Sequence, residues 1–238
     1  MIEFRPLKDL KLVPPSPDRH WLVQGAIPAS VVAEVYGPKM SGKTTFCSAL
    51  AVAVNTGSKL LDTTVPHRFG PVVYVTSDSY SAYSILKSVM AGVGEADKGD
   101  LLIVTADLAG GPKAFLRELV DKVLNLNPRP ALVVEDCAVF DVVALDEYDT
   151  HRAMLHELQR LVRVGISVLI AHPHTDGVGC PDALEVTYDS AQHELLVTKP
   201  SGDGYRDVLC ATVHHGNGAI RFTANPIEDE DSDVPTAP

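Results

Sequence analysis

The sequence predicts an α/β fold with a mostly parallel central sheet, flanked by helices and extended at its C-terminal edge by antiparallel strands. Up to residue 174, short apolar β-rich runs alternate with helical runs, as in sheets built from parallel strands. Four strand-like runs with tight turns then follow: ALEVTYD, HELLVTKP, RDVLCATV and AIRFTA. Because tight turns join antiparallel neighbours, we expect these four runs to extend the sheet edge.

The first predicted strand, VVAEVYG at 31–37, runs directly into a loop with the sequence GPKMSGKTT. A helix over 43–54 follows; it is apolar on almost every side, so we expect it to be buried, and Gly57 favours its termination. The next strand, 71–78, leads into a helix that runs toward Met90. Its start offers Asp78, Ser79 and Ser81 as capping residues.

The remaining α/β elements follow the same alternation. A strand is predicted at 101–107, and a helix with a clear apolar stripe begins at Pro112. The run PALVVED at 130–136 predicts a buried strand that ends in two carboxylates. Asp149-Thr150 precedes a further amphipathic helix that ends near Gly165, and a buried strand occupies 166–174.

Composition limits the possible functions. The 238 residues suit one large domain, and the net charge of −11 provides no general electrostatic surface for nucleic acid. The four cysteines form no C-x-x-C pair, which indicates a reducing cytoplasm rather than a zinc knuckle or a disulfide framework. The first residues lack the apolar core of a signal peptide, and no apolar run is long enough to span a bilayer.

The loop GPKMSGKTT fits the phosphate-binding pattern G-x-x-x-x-G-K-[ST], with a strand before it and a helix after it. The alternative is a chance turn ahead of an ordinary helix. As a phosphate cradle it binds ATP: backbone N–H groups turn toward phosphate oxygens, Lys43 bridges the β- and γ-phosphates, and the Thr44 hydroxyl binds Mg²⁺. The predicted cofactor-binding residues are Gly37, Pro38, Lys39, Met40, Ser41, Gly42, Lys43, Thr44 and Thr45.

Three further residues at strand ends are candidates for the chemistry. Asp136 is the second predicted Mg²⁺ ligand; Glu135 is not, because neighbouring side chains on a strand point to opposite faces. Asp78 either orients the attacking water or caps the following helix. His172 either senses the γ-phosphate or has a structural role.

Five segments, in order along the chain, resemble RecA-like P-loop ATPases of the hexameric RepA helicase type. They are HWLVQGAIPASVVAEVYGPKMSGKTTFCSALAVAVNTG (20–57), VVYVTSDSYSAYSILKSVMAGVG (72–94), PALVVEDCAVFD (130–141), VLIAHPHTDG (168–177) and ELLVTKPSGDG (194–204). The resemblance implies that the sensor strand, which carries His172, lies between the P-loop strand and the Walker B strand. It also implies a homo-oligomeric ring or filament with ATP at the subunit interfaces, completed by Lys199 and Arg206 from the neighbour.

Carried over by position, the resemblance places Asp78 at the catalytic glutamate and His172 at the sensor. Aspartate is one methylene shorter than glutamate, which favours slow hydrolysis. The segments that would face a DNA channel, 137–150 and 175–189, contain no Lys or Arg. Because phosphate neutralisation supplies much of DNA affinity, DNA contact would need a weakly basic or partner-assisted channel.

The predicted organisation is an N-terminal arm (1–19), a RecA-like ATPase domain (20–224) and a disordered acidic tail (225–238) that offers a docking site for a protein partner. The leading hypothesis is a Mg²⁺-dependent ATPase in DNA replication, recombination or repair, helicase- or recombinase-like. The alternative is a nucleotide-dependent regulator or loader with little hydrolysis and no direct DNA binding. A thymidine-kinase-like enzyme is disfavoured because the chain lacks zinc cysteine pairs.

Overall fold

A computed structural model of the protein describes residues 20–94, 100–136, 148–172, 183–201 and 204–227. These residues form four helices and eleven strands. The helices are α1 (Lys43–Thr56), α2 (Ser79–Gly92), α3 (Pro112–Leu124) and α4 (Tyr148–Arg163). The strands are β1 (Trp21–Val23), β2 (Ile27–Pro28), β3 (Val32–Tyr36), β4 (Val72–Thr76), β5 (Leu101–Thr105), β6 (Leu132–Asp136), β7 (Ser167–His172), β8 (Ala183–Asp189), β9 (Glu194–Ser201), β10 (Gly204–Gly216) and β11 (Ala219–Ala224).

Nine of these strands form one sheet in the order β11-β10-β9-β8-β3-β7-β6-β4-β5, and β1 pairs with β2 in a small separate sheet. The order β3-β7-β6 confirms the expected position of the sensor strand between the P-loop and Walker B strands. The strands from β8 to β5 pair in parallel. The antiparallel extension at the C-terminal edge is also confirmed, with one difference: β8 runs parallel to β3 and only its pairing with β9 is antiparallel.

Helices cover both faces of the sheet. On one face α1 is the most buried helix, with nine consecutive buried residues from Phe46 to Val54, as its all-round apolar sequence predicts. On the other face α3 and α4 pack against alternate residues of β4, β6 and β7. Leu116, Leu119, Val120 and Val123, four members of the predicted apolar stripe of α3, are buried there.

Helix α2 packs against α1 and also against β11, at the far edge of the sheet. The backbones of α2 and β11 touch: a Cβ atom added to Gly92 would lie 1.8 Å from the carbonyl oxygen of Ile220. Helix α2 also contacts β5, so it touches both edge strands of the nine-stranded sheet. The contact with β11 ties the antiparallel extension to the helix that begins beside Asp78.

The boundaries differ from the predicted ones by a few residues. Helix α1 extends to Thr56 and ends at Gly57, which has the left-handed conformation (φ +73°) that favours glycine. Helix α4 begins at Tyr148, so Asp149 and Thr150 lie inside it rather than before it. The predicted arm 1–19 and most of the predicted acidic tail lie outside the described residues.

Candidate nucleotide site

The loop between β3 and α1 has the tight conformation that a phosphate cradle requires. Gly37 has a φ of +151°, and a Cβ atom there would lie 2.4 Å from the carbonyl oxygen of Val186. Gly42, at the N-cap of α1, has a φ of +86°. Met40, at the loop tip, also has a positive φ (+67°) and is 89% exposed. Only glycine fits at position 37, and the positive φ at position 42 also favours glycine, so the backbone of this loop explains both glycines of the motif.

The N-terminus of α1 points into this loop. Gly42 is the N-cap residue and, having no side chain, makes no capping hydrogen bond to the helix. Helix N-termini carry backbone N–H groups without intrahelical partners and a partial positive charge, which together favour a bound anion. The start of α1 therefore suits the phosphate groups that the sequence motif predicts.

The Lys43 side chain folds back across the loop. Its ammonium group donates to the carbonyl oxygens of Gly37 and Pro38, both at 2.7 Å, and lies 3.4 Å from Ser41 Oγ. The cation therefore lies within the curve of the loop, next to the helix N-terminus. A phosphate oxygen entering this curve would meet both an ammonium group and backbone amides.

Thr44 and Asp136 meet at the carboxyl end of the sheet. The Thr44 hydroxyl donates to Asp136 Oδ1 at 3.4 Å. Burial raises the pKa of Asp136, while hydrogen bonds from Tyr74 and Thr44 and the charge of Lys43 oppose this shift. A hydroxyl and a carboxylate are hard oxygen donors of the kind that Mg²⁺ prefers, so the two residues fit the metal that the sequence predicts.

A residue that the sequence analysis did not select also contacts this carboxylate. The hydroxyl of Tyr74, in the middle of β4, donates to Asp136 Oδ2 at 2.7 Å. The signal was present in the sequence, because a tyrosine in a buried strand requires a polar partner within the core. Cys47 lies close by on α1, and its burial raises the pKa of the thiol. The thiol is therefore protonated at neutral pH and is not a nucleophile.

Glu135 lies on the opposite face of β6, as alternation along the strand predicts. Its neighbours in sequence, Val134 and Asp136, face α1, whereas Val133 belongs to the core beneath α3 and α4. Glu135 is only 1% exposed, and Glu34 is 4% exposed. Both residues pair in register with Ile170 of β7. The two carboxylates therefore lie on either side of β7, on the face of the sheet that α3 and α4 cover. The sequence analysis assigned Glu135 away from the metal but did not predict this buried pair.

Asp78 caps helix α2. Its Oδ1 accepts hydrogen bonds from the backbone N–H groups of Tyr80 and Ser81, both at 3.1 Å, and its Oδ2 accepts one from Ser81 Oγ at 2.7 Å. Hydrogen bonds from Ser81 and Tyr80 lower the pKa of Asp78. Of the two roles open from the sequence, capping is directly visible, and Asp78 rather than Ser79 or Ser81 is the cap. The water-orienting role stays a prediction.

His172 is the last residue of β7 and is 3% exposed. It pairs in register with Tyr36, the residue immediately before the cradle loop. Alternation places its side chain with Val168 and Ile170, on the face that α4 covers. The histidine therefore lies one strand from the root of the cradle loop, on the face of the sheet opposite Asp136, and its sensor role stays a prediction.

Lys199 lies on β9, which is separated from the P-loop strand β3 by β8 alone. Strand β9 passes the cradle at Leu195, whose side chain lies against Gly42. Lys199 is four residues further along the strand and two residues beyond Val197, which pairs with Val186. The carbonyl oxygen of Val186 lies against Gly37, at the other end of the cradle loop. Its ammonium group lies over the ring of Trp21, 5.7 Å from the centroid. Arg206 pairs with Lys199 in the β9–β10 hairpin, and its side chain is outside the described part of the chain.

The described residues contain neither a ready-made metal cluster nor a membrane-spanning helix. No cluster of three or more histidine, cysteine, aspartate or glutamate residues suited to a metal ion occurs among them. None of the helices in these segments is long and apolar enough to cross a membrane. Of the candidate channel segments 137–150 and 175–189, residues 137–147 and 175–182 lie outside the described ranges.

Comparisons with known proteins agree with this architecture. A family model described as an AAA domain matches residues 2–176, well over half of the chain. The crystal structure of the RadB recombinase is similar over 82% of this chain and 91% of that chain, with a TM-score of 0.55 and 16% sequence identity. At this identity the likeness shows the fold, which is RecA-like. A search of curated proteins gave no match.

Proposed function

This chain belongs to the AAA domain family, and we propose that it is a Mg²⁺-dependent ATPase that acts in DNA recombination, repair or replication. ATP binds in the loop 37–45, with its phosphates against the N-terminus of α1 and the Lys43 ammonium group. Residues 20–224 form the ATPase domain, and the acidic residues after it are available to a protein partner.

One observation carries the nucleotide assignment. Thr44 at the start of α1 and Asp136 at the end of β6 meet at 3.4 Å, directly after a cradle loop that contains the Lys43 cation. A structural turn needs neither a carboxylate beside the start of the helix nor a lysine held within its curve. The combination is what a metal–nucleotide complex requires: a cation for the phosphates and two oxygen donors for the metal.

Mg²⁺ held by Thr44 and Asp136 would neutralise charge on the β- and γ-phosphates. The protein contributes the remaining requirements through its own residues. The cradle orients the phosphates, and Lys43 offsets their charge. Asp78, two residues after β4, is the candidate to orient water, and His172, at the end of β7, is the candidate to sense the γ-phosphate.

The connection with DNA rests on resemblance. The sequence resembles helicases of the RepA type, and the fold is similar to that of a protein whose structure is titled a recombinase. Both likenesses favour a role in DNA transactions. The fold comparison favours recombination among the possible roles. The acidic composition, net −11, argues that DNA contact is local or shared with a partner.

A second candidate function is a nucleotide-dependent regulator or loader with little hydrolysis and no direct DNA binding. The observation that favours it is the state of Asp78. Both carboxylate oxygens accept hydrogen bonds from the first turn of α2, so the carboxylate is held by the helix. A group held in this way is a weaker candidate for deprotonating or orienting water.

The deciding experiment measures phosphate release with no DNA, with single-stranded DNA and with duplex DNA. We expect slow basal hydrolysis that Mg²⁺ supports and that DNA stimulates at least several-fold. A wild-type protein that binds ATP tightly but shows the same negligible turnover under all three conditions would support the regulator instead. A protein that binds no ATP at all would contradict both candidates.

A further inference from the structure

The carboxylate of Asp136 is held from two sides. The Tyr74 hydroxyl donates to Oδ2 at 2.7 Å, and the Thr44 hydroxyl donates to Oδ1 at 3.4 Å. One donor comes from β4 and the other from α1, so each of the two oxygens has its own partner. Two hydrogen bonds on different oxygens fix the plane of a carboxylate as well as its position.

The sheet register explains why a tyrosine is required at this position. Tyr74 is aligned with Val134 on the neighbouring strand, and Asp136 is two residues further along the same face. A diagonal neighbour of this kind is out of reach for a short side chain but within reach of an aromatic one. The hydroxyl at the end of the ring thus arrives at the carboxylate, while the ring fills the core beneath α1.

Tyr74 has no exposed surface. Burying its hydroxyl group costs folding free energy that an apolar residue at this position would not cost. A tyrosine phenol ordinarily carries its proton at neutral pH. It therefore acts as a permanent donor. A phenylalanine would fill nearly the same volume without a buried hydroxyl, so the core alone does not explain the tyrosine.

We propose that Tyr74 is a positioning residue for the metal site: by holding Oδ2 of Asp136, its hydroxyl keeps Oδ1 beside Thr44, so that these two residues would hold the Mg²⁺ that accompanies the nucleotide. The inference rests on the proposed function, because it assigns a role toward the metal of the same site. Groups that orient a metal ligand typically change metal affinity by about 10–100-fold when they are removed.

The test compares Tyr74→Phe with wild type and with Tyr83→Phe, a control tyrosine that is exposed on α2. Mn²⁺ binding in the presence of ATP is measured by electron paramagnetic resonance, and ATP binding is measured separately in EDTA. We expect Tyr74→Phe to weaken Mn²⁺ binding about 10-fold, at the lower end of the range for an orienting group, and to leave ATP binding in EDTA unchanged. The control is expected to match wild type in both measurements.

Two further variants make the result specific. In an Asp136→Asn background, Tyr74→Phe is expected to cause no additional loss of Mn²⁺ affinity, because the tyrosine acts through that carboxylate. Replacing Tyr74 with 4-aminophenylalanine restores a donor at the ring end and is expected to restore Mn²⁺ binding, which also guards against a folding defect in Tyr74→Phe.

The inference is overturned by any of three results. These are unchanged Mn²⁺ affinity in Tyr74→Phe, equal weakening of ATP binding with and without metal, and an undiminished effect in the Asp136→Asn background. Failure of the proposed function looks different, because wild-type protein would then bind neither ATP in EDTA nor Mn²⁺ in the presence of ATP.

Discussion

The Thr44 hydroxyl donates to Asp136 Oδ1 at 3.4 Å, although 92 positions of the chain separate the two residues. The sheet order brings them together. Strand β3 leads into the helix that carries Thr44, Asp136 ends β6, and only β7 lies between the two strands. Because parallel strands all end at the same edge of the sheet, a loop after one strand and a side chain at the end of another share a single cleft.

The first prediction concerns Lys43. Lys43→Ala removes the cation from the curve of the cradle, so we expect ATP affinity to fall by about 10–100-fold, the value of a hydrogen bond to a charged group. Isothermal titration calorimetry with ATP measures the loss. Lys59→Ala is the matched control, because Lys59 is an exposed lysine that pairs with Asp62 on the surface. Tight ATP binding by Lys43→Ala would remove the nucleotide assignment.

The second prediction concerns the cost of the metal carboxylate. Burial raises the pKa of Asp136, so at neutral pH the ionised carboxylate makes the folded protein less stable relative to the unfolded chain. Asp136→Asn removes this charge and keeps an oxygen that can accept from Tyr74. We therefore expect a higher melting temperature at pH 7 without metal and nucleotide, together with metal-dependent ATP binding weakened about 10-fold or more.

Calorimetric melting and ATP titration with and without Mg²⁺ test both halves. A variant that melts below wild type in the absence of ligands would show that the ionised carboxylate stabilises the fold. An unchanged response of ATP binding to Mg²⁺ would contradict the metal role of Asp136.

The third prediction separates the two roles of Asp78. Asparagine caps helices about as well as aspartate does, whereas alanine does not. Asp78→Asn therefore keeps the cap of α2 and removes the carboxylate, and Asp78→Ala removes both. If Asp78 orients water, both variants lose on the order of 100-fold in the turnover number. If Asp78 is only a cap, Asp78→Asn keeps wild-type turnover and Asp78→Ala alone melts earlier.

The same residue gives a pH dependence. Hydrogen bonds from Ser81 and Tyr80 lower the pKa of Asp78 below the ordinary aspartate value of 3.8. The stability that ionised Asp78 contributes is thus fully present above that value and is lost as the pH falls through the lower, folded-state pKa. The difference in melting temperature between wild type and Asp78→Asn is expected to be constant near neutrality and to change only in acid, below roughly pH 4. A difference that changes between pH 6 and 8 would contradict this assignment.

The fourth prediction concerns the contact between α2 and β11. A Cβ atom at Gly92 would lie 1.8 Å from the backbone oxygen of Ile220, so Gly92→Ala must push the two elements apart. We expect a loss of about 1–3 kcal/mol in the free energy of unfolding, measured with urea. Gly216→Ala is the control, because no atom lies within 4 Å of the added Cβ. Equal stability of the two variants would mean that α2 and β11 can move apart without a loss in the free energy of unfolding.

The fold was predictable from the sequence wherever a hydrophobic pattern is compatible with only one type of secondary structure and burial. Apolar strands next to a helix that is apolar all round indicate a covered parallel sheet, and the motif at 37–45 located the cleft. The direction of β8 was not predictable in the same way. A strand with alternating burial suits either pairing, and its parallel register with β3 follows from tertiary contacts that local patterns do not record.

The site was predictable for the residues that a motif names and not for their supports. Lys43, Thr44 and Asp136 followed from spacing and strand ends. Tyr74 did not, because it reaches Asp136 diagonally across two strands whose neighbourhood is a property of the folded sheet. The pairing of the buried carboxylates of Glu34 and Glu135 was not predicted, for the same reason. Neither strand sequence alone indicates a partner for its glutamate, and only the sheet order places both residues beside Ile170.

The last prediction tests whether a neighbouring subunit completes the site. The Lys199 ammonium group lies over the Trp21 ring, and the resemblance to RepA-type ATPases assigns this lysine to the cradle of a neighbouring copy. Lys199→Ala alone and Lys43→Ala alone are both expected to be inactive. Mixed together, they form some interfaces with an intact cradle from the Lys199→Ala chain and an intact Lys199 from the Lys43→Ala chain, so ATPase activity is expected to return in part.

The single tryptophan of the chain provides a second measurement. The Lys199 ammonium group lies over the Trp21 ring, and a nearby cation changes the fluorescence of an indole. If Lys199 turns to the nucleotide of a neighbour, the Trp21 emission changes when an ATP analogue is added to wild type, and light scattering reports a larger species at the same concentration. A protein that stays monomeric with the analogue, shows no change in Trp21 emission and recovers no activity on mixing completes its site without a partner.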